Sequence, residues 1–214
     1  GIPLGVYAGL KPDTVASKSI MAGSILGFSL PTFWVGLMFI MVFAVILGWL
    51  PSTGRGDTVP LLGIDVSFLT LDGLAHLFLP ALNLALFKIS LVIRLARAGT
   101  REVVHQDYIK FARAKGLRNS RIVLVHLMKN IMIPVVTVLG LEFGGLIAFS
   151  VVTETVFAWP GMGKLIIDSI QSLDRPVIVA YLMIIVLIFV IINLVVDVLY
   201  SILDPRVRLS EMKS

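Results

Sequence analysis

The 214-residue chain has no cysteine, and charged residues make up only 14% of it. The absence of cysteine excludes disulfides, thiolate zinc sites and a cysteine nucleophile. Soluble domains carry about 25% charged residues. A chain that is 57% hydrophobic, with a mean hydropathy of +0.99, is therefore not expected to be soluble, and its composition also excludes intrinsic disorder.

Catalytic and nucleotide-binding signatures are missing as well. His76, His105 and His126 form no HExxH pattern, and no nucleophile elbow is present. The stretch nearest to a P-loop, residues 161–164, lacks the required spacing and the hydroxyl residue. No signal peptide is visible. The sequence thus predicts no metal site and no ATP chemistry in this chain.

Long apolar segments dominate what is present. A helix needs about 20 apolar residues to cross a membrane, and four segments meet that requirement: residues 20–50, 73–93, 130–157 and 176–202. Residues 1–10 are too short to span and read as the end of an earlier helix, so we expect part of the N-terminus to be missing. The predicted fold is all-α, a polytopic membrane helix bundle with four complete spans and a truncated one.

The positions of the charges orient these spans. The net charge is +5, and only three of the eighteen basic residues, Arg55, Lys164 and Arg175, fall in the loops on one side. The positive-inside rule places those loops outside and the C-terminus in the cytoplasm. Residues 94–129 hold nine basic and two acidic residues, so the basic charge belongs to an inner loop and does not indicate nucleic acid.

The two outer loops differ in their expected structure. The loop at 50–72 is rich in Pro, Gly and Asp and should be irregular. The loop at 158–175 opens with the turn signal Trp159-Pro160-Gly161. Apolar residues then recur at helical spacing, which predicts a short helix on the membrane surface; they are Leu165, Ile166, Ile170 and Leu173.

The inner loop carries the most specific local pattern. A short helix is predicted at 108–115, with Asp107 as its N-cap and Gly116 in the left-handed position after its last turn. One face should present Tyr108, Phe111, Ala112 and Lys115. Such a capped, basic-rimmed helix is typical of a docking element, although a basic loop that contacts anionic lipid would share its charge.

Four motifs in the second half of the chain resemble those of ABC-importer permeases, most nearly the dipeptide, oligopeptide and nickel subfamily. They are DYI at 107–109 followed by ARAKG at 112–116, NIMIPVV at 130–136, VFAWPGMG at 156–163 and LDPRVR at 203–208. The sequence departs from the general E-A-A-x3-G loop pattern at Lys110 and Phe111, and Pro134 lies further downstream than the family's proline. The peptide-type subfamily shows these same differences, so they favour that subfamily among the ABC-importer permeases.

The resemblance implies a transport subunit and not an enzyme. A second, similar permease would complete the path, two ATPase subunits would bind and hydrolyse ATP, and an extracytoplasmic solute-binding protein would deliver a peptide or similar small solute. The chain itself would need no cofactor. The residues that would couple it to an ATPase are Asp107, Tyr108, Phe111, Ala112, Arg113, Ala114, Lys115 and Gly116.

The resemblance also implies a place and a domain division. The chain would be a multi-pass protein of the bacterial plasma (inner) membrane, embedded in the lipid bilayer. Its permease domain would cover 1–205 and a cytoplasmic tail would cover 206–214. The substrate, and whether the paired permease is identical or different, stay open.

Polar residues within the spans are candidates for the translocation path. A carboxylate near mid-span is expensive and usually faces the bundle interior or a water-filled path, which favours Glu142 and, nearer the outer end, Glu154. Ser29, Pro31 and Trp34 are further candidates. For each of them a purely structural role is the alternative.

Two other functional classes remain as alternatives. An ion-coupled secondary transporter would use Glu142 as its proton carrier, but no inverted repeat is visible. A membrane-embedded enzyme would use Glu142, Glu154 and Asp197. Their positions within the predicted spans place them at different depths in the membrane, so they do not cluster.

Overall fold

The computed structural model describes residues 1–61 and 63–203, with side chains as far as residue 199. Nine α-helices are described, in chain order: α1 Ile2–Leu10, α2 Val15–Ser29, α3 Thr32–Phe39, α4 Leu71–Val104, α5 Asp107–Ala114, α6 Asn119–Arg121, α7 Met128–Val156, α8 Met162–Gln171 and α9 Arg175–Leu203. Two π-helical segments, Ile40–Ile46 and Ile122–Leu127, extend α3 and join α6 to α7. The predicted tail at 206–214 and most of the LDPRVR motif lie outside the described residues.

Three helices of the described chain are long and apolar enough to cross a membrane. They are Leu71–Val104, Asn119–Val156 and Arg175–Leu199, at the places predicted for the last three spans. The first predicted span, residues 20–50, is not one helix, because α2 ends at Ser29 and the chain turns sharply before α3. The predicted count of four is reached only if this broken pair crosses as one span.

Pro31 accounts for the break. It lies before α3 with φ −61° and ψ 135°, and its carbonyl oxygen accepts the Val35 N–H at 3.1 Å. Proline cannot donate to a preceding turn and biases its preceding residue toward extended backbone. Pro80 and Pro134, by contrast, lie inside α4 and α7. The prediction gave residues 20–50 as one span, and the structure divides them into two helices bent by 106°.

The chain divides into two compact units, and the long helices run through both. The first unit contains residues 1–28, 89–143 and those from 188 on. Its core consists of Val6, Val92, Ala96, Leu127, Ile131 and Val135. In this unit α1 lies directly on α4, since a Cβ at Gly5 would come 2.5 Å from the Ile93 carbonyl oxygen. The segment predicted as a truncated span is thus a short helix fixed by a glycine contact.

The second unit contains residues 29–88 and 144–187. Here the buried Asn83 of α4 donates to the Thr153 hydroxyl of α7 at 3.1 Å. Phe157, which is 1% exposed, lies at the end of α7 near Gly36 of α3. A polar contact between α4 and α7 is expected to add to helix association within a membrane.

The loop at 50–72 is more ordered than predicted. Val59–Leu61 and Ile64–Val66 pair as antiparallel strands, with Val59 opposite Val66. The Arg55 guanidinium donates to the Asp65 carbonyl oxygen, and the Asp57 N–H donates to Asp72 Oδ2 at 2.8 Å. The prediction of a wholly irregular loop was wrong, since these contacts hold a small hairpin against the start of α4.

Candidate functional site

The inner-loop helix forms as α5, one residue earlier than predicted. Gln106 is its N-cap, with φ −68° and ψ 148° and no side-chain cap hydrogen bond. Asp107 is the first helical residue, and its carboxylate accepts a hydrogen bond from Lys110 Nζ at 2.8 Å. The prediction of Asp107 as N-cap was wrong by one position, because the Gln106 carbonyl oxygen already accepts the first helical hydrogen bond, from the Lys110 N–H at 3.2 Å. This bond and the charge of Lys110 lower the pKa of Asp107 from its ordinary value.

The end of α5 is a complete Schellman motif. Gly116 has φ +75°, as predicted for the left-handed position. Its N–H donates to the Arg113 carbonyl oxygen at 2.9 Å, and the Leu117 N–H donates to the Ala112 carbonyl oxygen at 3.3 Å. These two bonds define the motif and satisfy carbonyls that would otherwise lack partners. The helix therefore has a sharp, fixed end.

One face of α5 is anchored to its own chain. Ile109 is 0% exposed and Ala112 is 6% exposed, and both pack against Ile122 of the second π-helical segment. Val103 and Leu117 complete this cluster, which we call the anchor cluster. Ile109 was missed by the sequence analysis, although its three-residue spacing from Ala112 was a visible signal.

The opposite face of α5 carries exposed aromatic and basic side chains. Tyr108 is 43% exposed and Phe111 is 61% exposed, and Lys115 Nζ lies 4.6 Å from the centroid of the Phe111 ring. The predicted single face was therefore wrong in one respect, because Ala112 packs inward. We call Tyr108, Phe111 and Lys115 the outer face of α5; Arg113, Ala114 and Gly116 are exposed as well.

Tyr108 is only partly free of its surroundings. Partial burial raises the pKa of its phenol, and the charge of Glu102 raises it further. A tyrosine hydroxyl is protonated at physiological pH even without such a shift, so it can donate a hydrogen bond. The outer face thus offers an apolar ring, a phenol donor and a cation, which suit a groove with apolar walls and an acidic rim.

The candidates for the path fall in several places. Ser29 ends α2, Pro31 precedes α3, and Trp34 in the first turn of α3 is 43% exposed. Glu142 is partly exposed on α7, twelve residues before Glu154. Ser29, Pro31 and Trp34 thus lie within six residues of one another at the break between α2 and α3.

Glu154 has a defined partner. Its Oε2 accepts the backbone N–H of Lys164 at 2.9 Å, in the first turn of α8. The short helix predicted within the loop at 158–175 is confirmed as α8, Met162–Gln171. Gly163, Ile166 and Ser169 form its buried face, whereas Leu165 and Ile170 are about half exposed.

Comparison with known proteins agrees with this architecture. Residues 1–209 match the family described as "Binding-protein-dependent transport system inner membrane component". Similar proteins include the di/tripeptide transport system permease protein DppB of Pseudomonas aeruginosa and the oligopeptide transport system permease protein AppB of Bacillus subtilis, each 40% identical. Both comparisons cover 97% of this chain, but only 66% and 64% of the relatives, slightly less than two thirds of their length.

A solved structure supports the fold. It is a chain of the MetNI methionine ABC transporter in an inward-facing conformation, with a TM-score of 0.67 and 17% sequence identity. The match covers 94% of this chain and 85% of that chain. Because the family match spans residues 1–209, the chain belongs to the binding-protein-dependent transport system inner membrane components.

Proposed function

We propose that this chain is a permease subunit of an ATP-driven importer for peptides or similar small solutes. It would form the path across a bacterial inner membrane together with a second permease. Two ATPase subunits would supply ATP hydrolysis, and an extracytoplasmic binding protein would deliver the solute. The family description and the printed names of DppB and AppB support this assignment.

The arrangement of α5 is the observation that carries the proposal. The helix is closed by a Schellman motif, anchored through Ile109 and Ala112, and exposes Phe111 and Tyr108. An exposed ring on a well-fixed helix loses little entropy when a partner covers it. The outer face of α5 is therefore suited to dock on an ATPase subunit.

The anchor cluster gives docking a mechanical consequence. Ile122 contacts Ile109 and Ala112 and opens the π-helical segment that leads directly into α7. A displacement of α5 would be passed to the start of α7 through buried side chains. ATP binding can favour one transport state only by as much as the ATP-bound ATPase subunits bind that state more tightly than the other. A rigid docking helix is needed to pass this difference in binding on to the spans.

The remaining parts of the proposal follow the sequence. Ser29, Pro31, Trp34 and Glu142 would contribute to the path. The basic inner loop would face the cytoplasm, as would the C-terminus. The alternatives of an ion-coupled transporter and a membrane-embedded enzyme gain no support from the geometry, and we do not pursue them.

The test compares two aromatic residues with the same local contact. Phe111→Ala removes the ring beneath Lys115 on α5, and Tyr7→Ala removes a ring whose centroid lies 5.7 Å from Lys11 Nζ on α1. The permease would be co-expressed with its genomic neighbours and purified as a complex. We expect Phe111→Ala to reduce ATPase co-purification and solute uptake, whereas Tyr7→Ala should leave both near wild type.

Two results would contradict the proposal. One is wild-type uptake and ATPase association in Phe111→Ala with normal membrane insertion. The other is solute transport by the isolated chain without any ATPase subunit.

A further inference from the structure

Two hydrogen bonds of the corner between α7 and α8 end on the same residue, Glu154. The Trp159 N–H donates to the Glu154 carbonyl oxygen at 2.8 Å, and the Lys164 N–H donates to Glu154 Oε2 at 2.9 Å. The connection between the two helices is thereby held at its beginning by the main chain of Glu154 and at its end by the side chain. Both attachments come from the last turns of α7.

The helix α8 has no cap of its own. Its N-cap is Gly161, which makes no side-chain cap hydrogen bond. Lys164 is the third residue of α8, and the N–H of such a residue has no acceptor within its helix. The Glu154 carboxylate supplies that acceptor and places a negative charge at the positive end of the helix dipole. It therefore does, from ten residues away, what an Asp or Ser at position 161 would ordinarily do.

Two glycines leave room for this carboxylate. A Cβ at Gly161 would collide with the Glu154 carboxylate, and one at Gly163 would lie 3.0 Å from Glu154 Oε2 and 2.6 Å from the Val151 Cα. Neither glycine has a positive φ, so the requirement is for space and not for backbone conformation. The sequence from Glu154 to Lys164 is thus fitted around the carboxylate.

We propose that Glu154 is a positioning residue that fixes α8 to the end of α7, and that it does not line the translocation path. Because its main chain and its side chain hold both ends of the connection, α8 follows the end of α7 as one body. This consequence for transport rests on the function proposed above: when α7 moves, Leu165 and Ile170 on α8 would move with it.

The absence of cysteine in the chain allows a direct test by spin labelling. Val152→Cys on α7 and Leu165→Cys on α8 place labels at side chains that are 39% and 49% exposed. Pulsed electron resonance on the full chain, purified with its partner subunits, would then give the distance between the labels. We expect one narrow distance distribution, unchanged between the nucleotide-free and the ATP-trapped states.

Variants of Glu154 separate positioning from charge. Glu154→Gln keeps a carbonyl oxygen that can accept the Lys164 N–H, whereas Glu154→Ala keeps none. We expect Gln to preserve the narrow distribution and to change uptake by less than about 2-fold. We expect Ala to broaden the distribution and to lower uptake by up to about 10-fold, since it leaves a partly buried donor without its acceptor. Asp168→Asn, which removes an exposed carboxylate of the same helix, is the matched control and should resemble the wild type.

The outcomes are decisive for the corner and for transport separately. A narrow distribution in Glu154→Ala would overturn the cap, and a distance that changes on ATP trapping would overturn the single body. Loss of uptake in Glu154→Gln equal to that in Ala would show that the charge itself is needed, as in a path residue. If Glu154→Ala does not fold, Gly163→Ala must broaden or shift the distance. A chain that couples to no ATPase would refute the proposed function while the label distances still test the cap.

Discussion

Replacing Ile109 by Ala should loosen α5 without removing any residue of its outer face. Ile109 is 0% exposed and packs in the small anchor cluster. Ile→Ala substitutions in cores destabilise by about 2–5 kcal/mol, and a cluster near the surface can partly collapse, so we expect about 2 kcal/mol, the low end of that range. That energy corresponds to a roughly 30-fold increase in local opening of the helix.

Hydrogen exchange on the assembled transporter measures this opening directly. Amides in 107–117 should exchange about 30-fold faster in Ile109→Ala than in wild type, while amides within α8 should keep their rates. Phe111→Ala changes a residue on the outer face of the same helix. It should leave the exchange rates unchanged and reduce only the coupling to the ATPase. Unchanged exchange in Ile109→Ala would refute the assignment of Ile109 as anchor, and equal loosening in Phe111→Ala would refute the division into two faces.

Three further predictions concern the ends of helices. Gly116→Ala should destabilise the end of α5 by about 1 kcal/mol because φ is +75°, whereas Gly116→Asn should cost less; exchange of the Leu117 amide measures both, and equal effects would contradict a backbone cause. Ala158 has φ +47°, a conformation that glycine adopts more easily. Ala158→Gly should therefore raise the free energy of unfolding in detergent by about 0.5–1 kcal/mol; no gain would exclude strain at this position. The Asp107–Lys110 pair lowers the pKa of Asp107 from 3.8, so its contribution is fully present above that pH and lost as the pH falls through the lower value. Because the Asp107 side chain is 97% exposed, that contribution is small even at neutral pH; Asp107→Asn should therefore leave uptake nearly unchanged, and a large loss would point to a direct contact with the ATPase.

The long helices could be predicted because hydropathy alone is enough to locate them. Hydropathy located α4, α7 and α9, since about 20 apolar residues have few alternatives in a membrane. The break at Pro31 was not predictable in the same way, because Pro80 and Pro134 stand in equally apolar surroundings and remain helical. Which proline ends a helix depends on whether neighbouring groups satisfy the carbonyl that it frees, and hydropathy does not record those neighbours.

The candidate site also has features that the sequence could predict and features that it could not. The bounds of α5 and its left-handed Gly116 follow from residues next to one another, and the sequence placed them within one residue. The inward side of α5 depends on Ile122, and the role of Glu154 depends on Lys164 and on the space at Gly163. Partners ten or more residues away leave no periodic signal that a single sequence can show.

The contact between α1 and α4 has a thermodynamic consequence. It relies on Gly5 and Gly9, where an added Cβ would come 2.5 Å from Ile93 or Thr100 atoms of α4. The contact runs from Ile93, at the end of the predicted second span, to Thr100 in the basic inner stretch at 94–129. Along its whole length it is held by dispersion forces between closely spaced backbones, which do not require the exclusion of water. Apolar contacts that are driven by the exclusion of water weaken on cooling, so the pairing of α1 with α4 should persist better in the cold than such contacts do.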